Sequence, residues 1–473
     1  MAVVARQVAV VVCAAAFALV AAGRASAFAK QDLTLTMDDG VGLAATLYEP
    51  GATPPPGGFP AIVMLHGLGG KRQDLDSIAQ GFADSYAVLS FDARGHGQSG
   101  GLTSIDGPRE IADTRAAFDW LAARPEIDRT HIGAWGLSLG GGAVLRSLVE
   151  GVPWAAVETL QTWTDLYSAL APQNLAKSGA IYGFLNSVPA SRLDPSVLAI
   201  KDDALASRNL GALRAFAAAR SSKQLLSRVT TPVFMLQGRR DFAFDLAQAK
   251  AGLRLLHGPK RLYVGDFGHS PSTFPGPDIT AVLQQSRDWF DRYVRGLPAA
   301  FTGAFGLAAD PWRGQVYGLA GGLPPTRRVS YALRGRRTIA PAGKVVRGTG
   351  TTRARLETFG SAQVRLTARL SGGWSRLVAV LTAKPRGGAE VVISEGGVNT
   401  SGLRGRHRLT IRMIDDATLI RPGSRLRLTL ASSSTAQSPG DVLYLNLPMP
   451  ASARISIGDV TLTLPVLRHP VSR

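Results

Sequence analysis

The sequence is poor in cysteine, and its one cysteine, Cys13, lies in an apolar segment at the N-terminus. After that segment, no apolar run is long enough to cross a bilayer as a helix. No His-x-x-x-His pair occurs, and no cysteine remains to complete a metal-ligand cluster. These absences exclude a disulfide-stapled scaffold, a polytopic helical membrane protein and a thiolate zinc site. Packed hydrophobic cores must therefore stabilise the protein, and we expect no metal and no other cofactor.

The N-terminus has the three parts of an export signal. Arg6 supplies a positive charge, residues 8–22 form a short apolar stretch, and Ala25-Ser26-Ala27 fits an A-x-A cleavage site. We predict that residues 1–27 are a cleaved signal peptide and that the protein is secreted or associated with the cell envelope. Retention of this segment as an anchor is the alternative.

Basic residues are unevenly distributed along the chain. Residues 324–473 contain 24 Lys and Arg against 7 Asp and Glu, whereas the rest of the 473 residues is almost neutral. A chain of this length also exceeds what one hydrophobic core usually supports. We predict a first domain over residues 28–323 and an arginine-rich second domain over residues 324–473.

The hydrophobic pattern predicts two fold classes in succession. Continuous apolar runs such as residues 61–65 and 87–91 alternate with helical periodicity such as residues 109–123, which is typical of a mostly parallel α/β sheet. Residues 163–227 are alanine-rich and helical, and we interpret them as a cap inserted into this sheet. Beyond residue 324, short alternating segments separated by Gly, Ser and Pro predict an antiparallel, jelly-roll-like β-sandwich with arginine facing outward.

The segment from His131 to Gly142 predicts a nucleophilic serine. It begins as a buried strand and continues as a small-residue helix, and Gly136-Leu137-Ser138-Leu139-Gly140 between them fits G-x-S-x-G. A serine on such a turn stands clear of the backbone, and its neighbours must be small because strand and helix approach closely there. We therefore predict that Ser138 is the nucleophile, rather than an incidental serine in a glycine-rich turn.

Two further residues complete a serine–acid–histidine order along the chain. Asp241 and His269 each follow a predicted buried strand, where an open α/β sheet gathers its functional groups. We predict that His269 is the general base and that Asp241 orients it, with Asp245 as the alternative orienting acid. The backbone N–H groups of Leu68 and Leu139 are the candidate oxyanion donors.

One glycine motif is a poor match to its usual function. Gly95-His96-Gly97-Gln98-Ser99-Gly100 fits G-x-G-x-x-G after a strand, but a loop follows it instead of a helix. A dinucleotide site needs a helix opening at the motif. We therefore do not assign nucleotide binding to it.

Together, His66-Gly67, residues 92–100, the serine turn, Gly238 with Asp241 and Gly268-His269 resemble the α/β-hydrolase superfamily. The helical cap, the C-terminal sandwich and the segment 440–445 are similar to the X-Pro dipeptidyl-peptidase and cocaine-esterase-like group. The resemblance implies a serine hydrolase acting on a small ester or peptide.

The sequence departs from this group at two points. Leu68 stands where the cocaine-esterase type is expected to have a tyrosine in the oxyanion loop. A dipeptidyl peptidase also needs an acid for the substrate's free amine, and Glu158 and Asp165 are the candidates.

A second function class stays open at this point. The arginine-rich sandwich would also suit a non-catalytic protein that binds an anionic cell-envelope surface, although such faces are often only solvated. We do not expect a nucleic-acid partner, because the basic domain lacks interleaved aromatic residues.

Overall fold

The computed structural model describes residues 28–298, 303–434 and 442–472. The predicted signal peptide lies outside these residues. A ten-stranded sheet occupies the first part of the chain, in the order β1-β2-β4-β3-β5-β6-β7-β8-β9-β10. Its strands are β1 (Phe28–Thr36), β2 (Gly42–Pro50), β3 (Phe59–Leu65), β4 (Ala87–Phe91), β5 (Ile127–Leu137), β6 (Val157–Leu160), β7 (Val233–Gly238), β8 (Lys260–Gly265), β9 (Phe305–Ala308) and β10 (Val316–Leu319).

The central strands of this sheet are parallel and buried on both faces. Side chains on both faces of β3, β4 and β7 are apolar, so both faces have to be shielded from water, and helices cover each of them. The helices are α1 (Asp76–Phe82), α2 (Pro108–Ala122), α3 (Leu139–Val149), α4 (Leu166–Leu170), α5 (Ser178–Asn186), α6 (Pro195–Ala206), α7 (Leu210–Ala218), α8 (Leu246–Leu255) and α9 (Ile279–Tyr293). Helices α1 and α9 pack on one face and α2, α3 and α8 on the other. Among these helices, none is long and apolar enough to span a membrane.

Both edges of the sheet are antiparallel. β1 and β2 form an antiparallel hairpin, and β2 pairs antiparallel with β4. At the other edge, β9 runs parallel to β8 and β10 runs antiparallel to β9. These two strands follow α9 in the chain and extend the sheet beyond β8.

The segment between β6 and β7 is helical, as predicted for a cap. It contains α4, α5, α6 and α7 and returns to the sheet at Val233. Its apolar side chains pack over the carboxyl ends of the parallel strands, next to the serine turn.

The rest of the chain is all-β. One sheet has the order β11-β21-β15-β18, with β12 also paired to β21, and a second has the order β13-β20-β16-β17. A two-stranded sheet joins β14 to β19. The strands are β11 (Thr326–Leu333), β12 (Arg337–Ile339), β13 (Val345–Thr351), β14 (Leu356–Glu357), β15 (Gly360–Ser371), β16 (Arg376–Lys384), β17 (Val391–Asn399), β18 (Gly405–Asp416), β19 (Leu419–Ile420), β20 (Arg425–Ala431) and β21 (Arg454–Leu467).

The two main antiparallel sheets share one apolar core, as in a β-sandwich. The predicted fold class, a mostly parallel α/β-hydrolase sheet followed by an all-β sandwich, is thus confirmed. The predicted boundary at residue 324 falls between β10 and β11.

Buried polar contacts join the sandwich to the α/β part. Arg239, just after β7, is 1% exposed and pairs with the fully buried Glu357 on β14. Lys250 on α8 pairs with Asp415 on β18 at 2.8 Å. The loop after β7 is therefore held from the sandwich side.

Candidate active site

Ser138 occupies the sharp turn between β5 and α3. Its φ of 54° and ψ of −110° are a strained combination for a residue with a side chain. A Cβ at Gly136 would overlap the backbone of Gly140, and a Cβ at Gly140 would overlap the carbonyl of Leu65. Glycine is required at both positions, so the local sequence dictates the geometry that presents Ser138.

The three predicted triad residues lie in one hydrogen-bonded row. Ser138 Oγ is 3.0 Å from His269 Nε2, and His269 Nδ1 is 2.7 Å from Asp241 Oδ2. A carboxylate only accepts hydrogen bonds, so Nδ1 carries the proton and Nε2 is free to accept the serine hydroxyl. This is the tautomer that a general base requires.

Asp241 is held by the backbone as well as by the histidine. Its Oδ1 accepts from the N–H groups of Ala243 and Phe244, and its Oδ2 also accepts from the N–H of His269. The alternative acid, Asp245, instead caps α8 by accepting from Ala247 N. The structure therefore brings Asp241, and not Asp245, to the histidine.

The loop after β3 lies against the nucleophile. A Cβ at Gly67 would be 3.4 Å from Ser138 Cβ, which places the next residue, Leu68, beside the serine. The N–H of Leu139 is the first of α3, where amides have no partner four residues earlier in the helix. Both predicted oxyanion donors are thus next to Ser138.

His66 stiffens this loop. Its Nε2 accepts from Ala93 N at 2.9 Å, so its Nδ1 carries the proton and donates to the carbonyl of Gly67 at 2.7 Å. Burial lowers the pKa of His66, which keeps the ring neutral. His66 consequently shapes the oxyanion loop and does not exchange protons with a substrate.

Aromatic side chains form the wall around His269. The ring centroid of His269 is 5.6 Å from that of Phe184 on α5 and 5.2 Å from that of Phe244. Phe184 and Phe244 are stacked, and Trp163 lies 5.0 Å from Phe244. Leu68 and Leu139 belong to the same apolar cluster. The side chains packed around His269 on the cap side are therefore mainly aromatic and aliphatic.

The two predicted amine-binding acids are elsewhere. Glu158 is fully buried between the sheet and α9, where it accepts from Trp135 Nε1 and Ser286 Oγ. Burial raises its pKa to about 8, so it is neutral at pH 7. Asp165 caps α4 through Ser168 N and faces Lys223 at 3.5 Å. The expectation that either holds a substrate amine is wrong, because each is already committed to a structural contact.

Sequence reasoning missed Lys177, at the start of α5. Its side chain is fully buried, and its Nζ donates to the carbonyl oxygens of Phe242 and Ala243, each at 2.9 Å. Burial lowers the pKa of Lys177, and the nearby charges of Asp245 and Asp241 oppose this effect. Lys177 thus ties the cap to the loop that carries the triad acid. The available signal was a lone lysine in the apolar stretch of residues 175–181.

Among the described residues, no group of three or more His, Cys, Asp or Glu could hold a metal ion. A serine with a base, an oriented base and amides beside it is the arrangement used for attack on a carbonyl.

Comparison with known proteins points to one group of hydrolases. The sequence model of the X-Pro dipeptidyl-peptidase (S15) family matches residues 39–271, as the resemblance predicted. The quorum-quenching protein AidA of Acinetobacter baumannii is 37% identical over 119 residues, which are 24% of this chain and 39% of that protein. The chain thus spans about two fifths of the length of this curated relative.

Solved structures match over nearly the whole chain. A CocE/NonD family hydrolase from Staphylococcus aureus superposes with a TM-score of 0.72 at 15% identity, covering 93% of this chain and 94% of its own. An α-amino acid ester hydrolase superposes with a TM-score of 0.63 at 16% identity, covering 94% and 98%. At these identities the likeness establishes the fold, including the C-terminal sandwich.

Proposed function

We propose, on the premise that the chain is an α/β-hydrolase matching the X-Pro dipeptidyl-peptidase family, that it is a serine hydrolase cleaving an ester or amide bond through an acyl-enzyme. The observation that carries the proposal is the row Ser138–His269–Asp241, with hydrogen-bond distances of 3.0 and 2.7 Å. The family match and the hydrolase neighbours support the reaction class.

The geometry of this row supports the following sequence of steps. His269 Nε2 takes the proton of Ser138 Oγ as the oxygen attacks the substrate carbonyl carbon. The resulting oxyanion is stabilised by the N–H groups of Leu68 and Leu139, and losing one such donor costs about 3–4 kcal/mol of transition-state stabilisation. His269 then returns the proton to the leaving group, whose bond to the acyl carbon breaks. Water, deprotonated by the same nitrogen, releases the acyl group from Ser138.

The walls favour an uncharged substrate. Phe184, Phe244 and Trp163 surround the base. Neither Glu158 nor Asp165 is free to pair with an amine, because both are engaged in the fold. The structural neighbours include both an α-amino acid ester hydrolase and an aminopeptidase. We propose that this protein prefers ester substrates. An ammonium group bound beside the aromatic wall would lose its hydration without gaining a carboxylate partner.

A matched substrate pair tests the proposal. We expect wild-type protein to hydrolyse a p-nitrophenyl short-chain ester faster than Gly-Pro p-nitroanilide. The Ser138→Ala variant should lose both this turnover and covalent labelling by a fluorophosphonate. Ser272→Ala, which removes a hydroxyl from the His269 loop, is the matched control and should keep both. Labelling that survives in Ser138→Ala would overturn the assignment of the nucleophile, and preferential cleavage of the anilide would overturn the ester preference.

We propose further that the enzyme acts outside the cytoplasm. The support is the n-region, apolar stretch and Ala25-Ser26-Ala27 site of the N-terminus. Intact mass of the protein recovered from the culture medium or the envelope should show a chain that starts at Phe28. A chain that still carries Met1 would contradict cleavage.

A further inference from the structure

The outward side of the sheet β11-β21-β15-β18 carries a dense set of exposed arginines. Strand alternation puts them on one side, because the side chains between them point into the sandwich core. We call this surface the arginine face, and it comprises Arg328, Arg365, Arg369, Arg406, Arg408 and Arg412.

The register brings these charges close to one another. Arg369 on β15 is directly opposite Arg406 on β18, and Arg408 is opposite Thr367, between Arg365 and Arg369. Residues two apart on a strand are about 7 Å apart, and neighbouring strands are about 5 Å apart. Like charges directly opposite destabilise a sheet. The Arg369–Arg406 pair therefore lowers the stability of the sheet, and the packing of the sandwich core does not require two arginines at these outward positions.

Acidic residues on the described strands of this sheet do not neutralise the arginine face. Along β11, β15, β18 and β21, the exposed acid is Asp459, and it already pairs with Arg334. Asp415 and Asp416, at the end of β18, are buried. Arg365 donates to the neutral amide of Gln363. The face thus presents a positive field to solvent.

Among the described residues, the segments outside this sheet leave the arginine face exposed. The other sheet of the sandwich turns Val378 and Val380 toward Leu175 and Phe242 of the α/β part. The backbone of β18 is contacted at its edge by Gln173, which binds the backbone at Thr410 and Arg412 and not the arginine side chains. The contacts of this sheet with the α/β part, at Gln173 and between α8 and the end of β18, thus leave the arginine side chains exposed.

We propose that the arginine face binds a bilayer surface rich in anionic phospholipid. The charges are spread in two dimensions over a sheet, with threonine and serine between them, which matches a planar array of phosphate groups. Guanidinium groups bind phosphate oxygens in a bidentate manner. The outward positions of β15 and β18 carry no aromatic side chain on which a base or sugar could stack.

Vesicle partitioning of the full chain tests the proposal. The probes are phosphatidylcholine vesicles and vesicles in which a third of the lipid is phosphatidylglycerol. The test variant replaces Arg365, Arg369, Arg406 and Arg408 with Gln. The control variant replaces Arg353, Arg355, Arg421 and Arg425, which are exposed outside the arginine face, and changes the net charge equally. Residues 1–27 are identical in all three proteins, so any contribution from them cancels.

We expect the wild type and the control to partition onto the anionic vesicles, more weakly as salt is added. The test variant should lose at least about 100-fold in partition coefficient, because each arginine near an anionic surface contributes roughly a factor of five. All four substituted side chains are exposed, and the variant should unfold no earlier than wild type. The proposal would be overturned if the test and control variants lost binding equally, or if the wild type bound neutral and anionic vesicles equally. Retention by a soluble polyanion but not by vesicles would overturn it as well.

Discussion

Substituting Glu357 with Gln should loosen both the sandwich and the triad loop. Glu357 is fully buried, and Arg239, its partner, is two residues before Asp241. The carboxylate also accepts from the N–H groups of Val471 and Ser472 and from Ser472 Oγ. A glutamine amide would turn one of these acceptor positions into a donor and would leave the charge of Arg239 buried without a counter-ion.

The magnitude follows from the burial of both partners. Removing one member of a buried ion pair typically costs about 3–5 kcal/mol. For a unit of this size, each kcal/mol lowers Tm by about 2–4 °C, so the expected decrease is about 6–20 °C. Arg239 also donates to the carbonyls of Ala417 and Ala308, and its own carbonyl accepts from Ala417 N. Because the same loop carries Asp241, the rate of fluorophosphonate labelling at Ser138 should fall as well.

The pH dependence gives a second readout. Burial alone would raise the pKa of Glu357, but the charge of Arg239 and the hydrogen bonds from Ser472 outweigh it and hold the pKa below its ordinary value. A lowered carboxyl pKa contributes stability above the unfolded value of 4.5, and that contribution is lost as pH falls through the folded value. The free energies of unfolding of wild type and Glu357→Gln should therefore differ by the full amount at pH 7, and the difference should shrink as the pH falls below 4.5.

Calorimetry of wild type, Glu357→Gln and one control variant tests this expected decrease in Tm. Asp459→Asn, which breaks the exposed pair with Arg334, is the matched acid-to-amide control and should leave Tm unchanged within error. A Glu357→Gln protein that melts with the Asp459→Asn control would refute the reasoning.

Three further outcomes are expected. Lys177→Met should lower kcat for the ester by about 10- to 100-fold with KM nearly unchanged, because the loop of Asp241 loses its tie to the cap; a rise in KM alone would contradict this. Gly69→Ala should also reduce kcat. Gly69 follows Leu68 in the loop after β3, its φ is +75°, and a Cβ would overlap the carbonyl of Ser187. Steady-state kinetics matching wild type would contradict the assignment of Leu68 N–H as an oxyanion donor. Glu158→Gln should gain stability relative to wild type between pH 4.5 and about 8, by up to about 1.4 kcal/mol per pH unit. The folded carboxyl keeps its proton in that window while the unfolded one loses it, and urea unfolding at pH 5 and pH 8 measures the gain.

Sequence reasoning reached the triad because each member follows a buried strand. The carboxyl ends of parallel strands meet at one edge, and the glycines around Ser138 mark a turn that other residues do not fit. The register supports this, since Leu65 is level with Gly136 and so places the loop after β3 beside the serine. Predicting the triad requires only the position of each residue after a buried strand and the local steric demands of the turn, and short stretches of sequence determine both.

The features that the sequence did not indicate are side-chain direction and two short strands. A buried four-residue strand shows no polar alternation, so the sequence did not tell which face of the sheet Glu158 occupies. β9 and β10 have four residues each and pair with partners about 40 residues earlier or across a short loop. Their pairing depends on tertiary contacts that local periodicity does not encode. Lys177 was missed for the same reason, because its partners are some 65 residues further along the chain.

The loop at residues 238–245 explains why the additional parts of the chain matter to a site built by the sheet. Asp241 binds His269, Arg239 is fixed by Glu357 of the sandwich, and Phe242 and Ala243 are held by Lys177 of the cap. The acid of a triad acts by keeping the imidazole in one orientation, so its own position has to be defined by rigid neighbours. Here the neighbours come from three separate regions of the sequence. A perturbation in the sandwich or the cap should therefore appear in the acylation rate of Ser138, even though neither region supplies a member of the triad.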